Sequence, residues 1–383
     1  MIKLKEIAYL FLKLGFTAFG GPAAHIAIME EEVVKKRKWI THEHFLDLLG
    51  ATNLIPGPNS TEMAIHIGYV KAGWRGLILA GMCFILPASL ITLILAYLYK
   101  AYGTVPSLEP FIAGMRPAII AVIFAAVYRL SKPQLNNYFT IAVILLVAVF
   151  NLLGFDEIFL LVCAGAFGII WELRNKIMNS VNSLLSLNFP ILISGIGLTN
   201  SVFNNVTEIS YLGIFMFFLK IGLVLYGSGY VLVAYLQGGL VESRHWLTHT
   251  QLLDAIAIGQ FTPGPVLSTA TFIGYILMGV PGAITATTAI FLPSFVLVLL
   301  AGRFIPKIRK NKAASGFLNG VNAASLGLML SVTIILAKTA LNNISSIIIL
   351  LLAVIILMMK KVNAVWIILA SAVVGCLLSI IKI

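Results

Sequence analysis

The sequence repeats itself, and this repeat limits which folds the chain can adopt. Residues 13–87 reappear in the same order at 220–293, with an offset of 207 residues (246 − 39) at a shared tryptophan. The match includes a Pro-Gly-Pro sequence, at 56–58 in the first half and at 263–265 in the second. A very apolar chain with helix-breaking residues at matched places is typical of transporters built from two repeats.

Composition places this chain in a lipid bilayer. It is 60% hydrophobic and 10% charged, and several apolar runs reach or approach the roughly 20 residues that a helix needs to cross the hydrocarbon core. The net charge of +12 is expected from lysines and arginines in cytoplasmic loops, so no nucleic-acid partner is predicted. The cysteines are isolated, and no metal or other cofactor is predicted. We predict an all-α, multi-pass protein of the inner or plasma membrane.

The predicted domains are an N-terminal repeat at 1–175, a linker at 176–205 and a C-terminal repeat at 206–383. The N-terminal repeat has apolar segments at 7–29, 46–70, 74–99, 110–131, 137–153 and 155–172. The C-terminal repeat has them at 208–237, 252–276, 278–301, 313–337, 343–359 and 362–381. The linker adds an apolar segment at 187–202 that has no counterpart in the first half.

Charge distribution decides how the two repeats are oriented. The loop at 100–110 contains one lysine and one glutamate, whereas its counterpart at 302–312 is the most basic loop of the chain. Equivalent loops with opposite charge lie on opposite sides of the membrane, because basic loops stay in the cytoplasm. The sequence therefore predicts inverted repeats, with segment 187–202 crossing the membrane between them.

Glycines and prolines break the first two segments of each repeat. The breaks lie at 20–22 and 56–58, and their counterparts at 227–229 and 263–265. Each predicts a half-helix, a turn and a second half-helix. A helix that begins inside a membrane directs N–H groups and a partial positive charge at whatever faces it. Four such ends, converging at the repeat interface near the midplane, would suit a tetrahedral oxyanion.

The predicted substrate-binding residues are those of the breaks, nearby hydroxyls and amides, and two intramembrane lysines. They are Lys13, Gly20, Gly21, Asn53, Pro56, Gly57, Pro58, Ser60, Thr61, Lys220, Gly227, Ser228, Gln260, Pro263, Gly264, Pro265 and Ser268. Further hydroxyls that could complete the shell are those of Thr17, Thr262 and Thr269. The lysines either supply counter-charge to an anion or extend to the membrane surface.

A few ionisable residues near the breaks admit two interpretations each. Glu62 either stabilises the start of its helix or carries a coupling proton. Arg116 is either a second anion contact or an interfacial anchor. Asp47 and Asp254 occupy matched positions, and we expect them to cap their helices or to act in gating.

Several of these motifs together resemble one known family. Leu12-Lys13-Leu14-Gly15, Phe19-Gly20-Gly21-Pro22, Lys36-Arg37-Lys38-Trp39, Phe84-Ile85-Leu86-Pro87 and the Pro-Gly-Pro break are similar to the chromate ion transporter (CHR) family, in its long two-domain form. The resemblance implies an inner-membrane carrier that exports chromate, with antiparallel halves and an odd number of spans. Members often have glutamine where this chain has Asn53 and Glu62. Sulfate, which shares the charge and shape of chromate, is therefore an expected competitor.

Several alternatives stay open at this point. The chain has no Gly-x4-Gly-Lys-Ser/Thr loop, so an ion gradient would have to drive transport. The substrate could be sulfate, another oxyanion or an organic phosphate. A membrane-embedded enzyme is not predicted, because no catalytic cluster falls at one depth. Inverted repeats favour alternating access over a passive channel. Both a monomer and a homodimer are compatible with the sequence.

Overall fold

The computed structural model describes residues 4–102, 109–132, 137–181, 208–226, 229–301, 311–359 and 362–380. The N-terminal repeat contributes helices α1 Leu4–Thr17, α2 Gly21–Glu30, α3 His42–Thr52, α4 Asn59–Tyr102, α5 Glu109–Ser131, α6 Tyr138–Leu152 and α7 Glu157–Val181. The C-terminal repeat contributes α8 Tyr211–Val224, α9 Leu232–Leu236, α10 His249–Phe261, α11 Thr269–Ala301, α12 Lys312–Ala340, α13 Ile344–Met359 and α14 Ala364–Ile380. The predicted all-α fold is confirmed. Helices satisfy their own backbone, as a bilayer requires.

Helices α1–α7 correspond one to one to α8–α14, down to irregularities of the backbone. A π-helical turn follows α2 at Glu31–Lys36, and another follows α9 at Gln237–Ser243. Shortly after these turns Lys38 and His245, which are 207 residues apart (245 − 38), both have positive φ angles, of 50° and 52°. The predicted two-repeat organisation is therefore visible in the backbone itself.

Helix α4 is a hairpin with two arms, 59–71 and 74–102. The chain reverses at Ala72 (φ −143°, ψ 23°) and Gly73 (φ 61°, ψ −149°). At 1.5 Å per residue the first arm is about 20 Å long. This length is roughly two-thirds of the thickness of a hydrocarbon core of about 30 Å, so the arm is too short to cross the core by itself.

Glycines allow the two arms of this hairpin to touch. A Cβ atom on Gly76 would collide with the backbone carbonyl of Gly68. The hairpin of α11 has the same contact between Gly274 and Gly282, and its chain reverses at Met278 and Gly279 with nearly the same angles. Each repeat thus contains one tightly packed hairpin directly after its Pro-Gly-Pro break.

The second arms of the two hairpins run in opposite directions. Gly81, near the start of the second arm of α4, lies against the ring of Phe295 near the end of α11. Lys100, near the end of α4, lies 5.8 Å from the ring centre of Tyr275, beside the turn of the α11 hairpin. The start of the second arm of α4 therefore packs near the end of α11, and the end of α4 packs near the turn of the α11 hairpin, as inverted repeats require.

The later helices of the two repeats exchange partners. Helix α5 packs on α13 and α14, whereas α12 packs on α6 and α7. Small residues permit these contacts: Gly114 of α5 lies against Gly375 of α14, and Gly320 of α12 lies against Ala164 and Gly165 of α7. Neither repeat therefore encloses its own core.

The described residues contain helical stretches that are long and apolar enough to cross a bilayer. These are Asn59–Tyr102, Glu109–Ser131, Val266–Leu300 and Lys312–Ala340. The large apolar side chains on the outside of the bundle suit contact with lipid. The chain is a multi-pass membrane protein. Segment 187–202 lies outside the described residues, so its crossing of the membrane stays a prediction.

Candidate functional site

Two backbone hydrogen bonds cross between the repeats at the Pro-Gly-Pro breaks. The N–H of Gly57 donates to the carbonyl of Leu225, just after α8 (2.7 Å), and the N–H of Gly264 donates to the carbonyl of Ala18, just after α1 (2.9 Å). Donors and acceptors are each 207 residues apart (264 − 57 and 225 − 18). Each break therefore contacts the end of the other repeat's first half-helix, and broken ends of both repeats meet in one place.

Only glycine fits at the two central positions. Gly57 has a φ of 143° and Gly264 a φ of 87°, which side chains with a Cβ atom avoid. A Cβ on Gly57 would collide with the Glu62 carboxyl and lie 2.9 Å from Ser294 Oγ. A Cβ on Gly264 would lie 2.9 Å from the Cβ of Ala88. Both breaks are thus packed tightly against the other repeat.

The break between α1 and α2 lies where the sequence predicts it. Gly20 (φ 108°) is the N-cap of α2, and Gly21 (φ 79°) is its first residue, followed by Pro22. A Cβ on Gly21 would lie 3.4 Å from the hydroxyl of Tyr230, which belongs to the other repeat. Its predicted counterparts, Gly227 and Ser228, lie outside the described residues.

The predicted polar residues differ in their exposure. Buried at the breaks are Ser60, Thr61, Gln260, Thr262, Ser268 and Thr269. Thr262 and Ser268 bring their Oγ atoms to 3.2 Å of each other. Asn53 is exposed, and its side-chain oxygen accepts a hydrogen bond from Asn59 (2.7 Å). Thr17 is also exposed and donates to a carbonyl of its own helix. The buried set is the part of the prediction that the structure brings together.

Lys13 forms a salt bridge on the partly exposed side of α1. Its Nζ lies 3.2 Å from Glu32, and its side chain is 46% exposed. Lys36 and Arg37 contact the same carboxylate, at 3.5 and 3.4 Å. Burial pushes the pKa of Glu32 upward, but these cations outweigh it and hold the pKa below its ordinary value. Lys220, the counterpart of Lys13, is half-buried. Anion contact by either lysine stays a prediction.

A buried ion pair joins the repeats at a second place. Arg116 of α5 donates from Nε and Nη2 to the two carboxylate oxygens of Asp254 in α10, at 2.9 and 3.1 Å. The hydroxyl of Tyr99 donates to the same carboxylate at 2.8 Å. The hydroxyl of Thr248 caps α10, so the expectation that Asp254 caps its helix is wrong. The sequence singles out both charges, but nothing in it pairs residues 138 positions apart.

Buried polar atoms without a partner gather just after the first Pro-Gly-Pro break. Among the described residues, neither carboxylate oxygen of Glu62 has a hydrogen-bond partner, and the same is true of Thr61 Oγ1 and His66 Nε2. Ser294 of α11 turns its hydroxyl toward Glu62, short of hydrogen-bond geometry. Buried polar groups are normally satisfied, so this cluster is suited to a bound ion or proton.

Comparison with known proteins agrees with this arrangement. The family model described as chromate transporter matches the chain twice, at residues 5–169 and 212–376. The chain is 32% identical over 377 residues to the chromate transport protein of Cupriavidus metallidurans, covering 97% of this chain and 92% of that relative. It is 31% identical over 382 residues to the chromate transport protein of Pseudomonas aeruginosa, with coverages of 96% and 90%. No solved structure matches the chain.

Proposed function

The chain belongs to the chromate transporter family. We propose that it is a secondary transporter that carries a tetrahedral oxyanion out of the cytoplasm, with chromate as the first candidate substrate. The pair of crossed hydrogen bonds, from Gly57 to Leu225 and from Gly264 to Ala18, is the observation that carries this proposal. Through these bonds the broken helices of two inverted repeats meet. Transporters of this architecture bind substrates at such a meeting point.

The chemistry of the breaks suits an anion. Helix α4 begins directly after Pro58 and α2 begins at Gly21, so both direct the positive ends of their dipoles into the repeat interface. Hydroxyls of Ser60, Thr61 and Ser268 are buried beside the breaks. A tetrahedral oxyanion has acceptor oxygens for several such donors and needs no large pocket. We assign the sequence-predicted substrate residues at the breaks to this site.

The Arg116–Asp254 pair is suited to closing one face of the carrier. It joins α5 of one repeat to α10 of the other, and Tyr99 donates to the same carboxylate. When the roles of the two repeats are exchanged, Asn322 stands at the position of Arg116. Asp47, which is matched to Asp254, is exposed. In the proposed cycle the pair separates when the site opens to that face. Alternating access needs such a contact to form in one state and break in another.

The charge of the substrate and the resemblance to the CHR family support export as the direction of transport. A dianion leaving a cytoplasm that is negative relative to the outside gains about 4.6 kcal/mol for each 100 mV of membrane potential, at about 2.3 kcal/mol per charge. No nucleotide would be required. The relatives are named as transport proteins, and we propose the same for this chain in place of an enzymatic activity.

Sulfate is the second candidate substrate, because this chain has Glu62 beside the break where members of the family often have glutamine. Sulfate resembles chromate in charge, shape and size, so a site made of helix ends and hydroxyls has little with which to separate them. Other oxyanions and organic phosphates fit the same chemistry less closely. Competition between the two dianions measures this directly.

Uptake of labelled chromate into everted membrane vesicles tests the proposal. Export from cells corresponds to uptake in these vesicles, so we expect saturable, energy-dependent uptake that excess sulfate reduces. Gly57→Ala and Gly264→Ala should each abolish it, because a Cβ atom would meet Glu62 and Ser294 in the first variant and Ala88 in the second. Vesicles that take up no more chromate and no more sulfate than empty ones would overturn the proposal.

Gly154→Ala is the matched control for these variants. Gly154 also has a positive φ, of 92°, but a Cβ there would meet nothing within 4 Å. It therefore shares the backbone strain of the Gly57 and Gly264 variants without their collisions. Uptake that falls equally in all three variants would show that strain, and not the site, is responsible.

A further inference from the structure

Among the described residues, no cation pairs with the buried carboxyl of Glu62. Its side chain is 0% exposed, and neither oxygen has a hydrogen-bond partner among the described residues. The salt bridges among the described residues all involve other acids. Glu62 also lies in the first turn of α4, directly behind the Pro-Gly-Pro break. It is thus an intramembrane acid at the point where the proposed substrate would bind.

The groups that face Glu62 offer no fixed positive charge. Ser294 of α11 presents a hydroxyl, and Tyr226, just after α8, is close enough for its phenol to interact with the carboxyl. His66 lies one turn further along the same arm, 3% exposed and with its Nε2 atom unpartnered. Gly57 also lies against the carboxyl, since a Cβ atom built on it would collide with a carboxyl oxygen. No lysine or arginine in the described part of the chain forms a salt bridge with this carboxyl.

An ionised carboxylate in such a place costs several kcal/mol, because it loses water without gaining a counter-ion. A proton removes this cost. Ionisable residues inside a membrane that face the bundle interior are typically parts of ion or proton pathways. The surroundings of Glu62 therefore point to a proton as the missing partner.

We propose that Glu62 is a proton-binding site, and that the carrier binds one proton together with each anion. An ionised Glu62 would repel the anion and would compete with it for the positive end of α4. Protonation removes both effects, so the two ligands strengthen each other's binding. This inference rests on the proposed function, since it concerns the same site.

We expect one proton per anion because only the first repeat has an acidic residue directly behind its Pro-Gly-Pro break. Behind the second Pro-Gly-Pro break the chain has Ser268 and Thr269, which are hydroxyl residues. A dianion and a proton together carry one net negative charge. The membrane potential then still drives export, with about 2.3 kcal/mol per 100 mV, while an inward-directed proton gradient opposes it.

Sulfate binding to the purified full-length protein tests the inference by calorimetry from about pH 6 to about pH 10. Sulfate stays a dianion throughout this range, so any change belongs to the protein. Above the pH at which Glu62 loses its proton, we expect the affinity of the wild type to fall about tenfold per pH unit. Glu62→Gln, which is neutral and of the same shape, should bind at all pH values as the wild type does in acid. Exposed Glu172 supplies the control, and Glu172→Gln should follow the wild type.

The outcomes separate this inference from the proposed function. Binding that falls in parallel in the wild type and in Glu62→Gln, or that stays constant in both, overturns the proton site and leaves the transporter intact. An absence of binding by the wild type to both sulfate and chromate overturns the proposed function and the proton site together. Buffers that differ in protonation enthalpy add a second readout, because the wild type should take up about one proton per sulfate bound at alkaline pH.

Discussion

At their Pro-Gly-Pro breaks, the two repeats place their backbones alike and their side chains differently. The amides of Gly57 and Gly264 make the same hydrogen bond to the opposite repeat. In the first turn behind the break, however, the N-terminal repeat buries the carboxyl of Glu62, whereas the C-terminal repeat places Ser268 within 3.2 Å of the Thr262 hydroxyl. Both repeats therefore supply a helix end at the break, and in this turn only the N-terminal repeat buries a carboxyl.

The matched aspartates differ in the same way. Asp254 is 2% exposed and binds Arg116 and Tyr99, whereas Asp47 is exposed. Inversion places the two on opposite sides of the membrane. The two faces of the carrier therefore have different contacts across the repeats, and the energies of the two access states need not be equal.

Arg116→Ala should have the largest effect. It leaves the Asp254 carboxylate buried beside Tyr99 without its cation, and breaking one partner of a buried pair costs about 3 to 5 kcal/mol. We expect the free energy of unfolding, measured by denaturant titration in mixed micelles, to fall by about this amount. Chromate uptake should fall with it. The apolar double variant Arg116→Met with Asp254→Leu should recover most of the lost stability, because it removes both charges.

The equivalent change in the other repeat supplies the control. Asn322→Ala and Asp47→Asn alter the matched positions, where Asp47 is exposed, and each should change the free energy of unfolding by less than about 1 kcal/mol. Similar losses from Arg116→Ala and Asn322→Ala would contradict the view that the buried Arg116–Asp254 pair makes the two faces differ in stability.

The hairpin glycines should show the opposite behaviour, with equal effects in both repeats. Gly68→Ala and Gly274→Ala each place a Cβ against the backbone carbonyl of the facing glycine, Gly76 or Gly282. Overpacking of this kind costs about 1 to 3 kcal/mol. We expect the two variants to lower the free energy of unfolding to the same extent. Effects that differ several-fold would show that the backbones match less closely in solution.

The backbone of this protein is easier to predict from its sequence than the site is. The helix breaks and the bounds of the segments can be predicted because glycine and proline act on the local backbone. The inversion of the repeats can be predicted because the charges of the loops can be counted along the sequence. The exchange of partners by α5 and α12 does not, because it depends on contacts such as Gly114 with Gly375 that have no local signature. Likewise, the sequence marks Lys13 and Glu32 separately, and only the folded chain shows that they form an ion pair.

His25→Leu should have a smaller effect than the glycine variants. The Nε2 atom of His25 lies 3.0 Å from the carbonyl of Ala18, which also accepts the crossed bond from Gly264. The matched position in the other repeat is Leu232, so leucine tests whether the second bond to Ala18 matters. Loss of one buried hydrogen bond lowers the free energy of unfolding by about 1 kcal/mol. Uptake that vanishes while stability stays within this range would indicate that His25 takes part in transport itself.

The salt bridge between Lys13 and Glu32 should contribute least to stability. Because the Lys13 side chain is 46% exposed, solvent screens the pair, and Lys13→Gln should cost less than about 1 kcal/mol near neutral pH. Glu32→Gln should cost more, because it also removes the contacts of Lys36 and Arg37. The pKa of Glu32 is held below its ordinary value. The contribution is therefore present above the ordinary carboxyl pKa and is lost as the pH falls through the lowered one. Denaturant titrations of the wild type and Lys13→Gln should converge at acid pH, once the pH is below the lowered pKa of Glu32.

Transport by the same variants separates the two roles open to Lys13. If its charge attracts the anion, Lys13→Gln raises the half-saturation concentration for chromate, and Glu32→Gln, which releases the cation, lowers it. If Lys13 only stabilises α1 against the turn at Glu32, both variants leave that concentration unchanged. Lys220→Gln makes the comparison across the repeats, because the residue matched to Glu32 is Gly239 and the carboxylate near Lys220 is that of Glu157 instead. A role for the lysine charge in both repeats requires Lys13→Gln and Lys220→Gln to raise the half-saturation concentration alike.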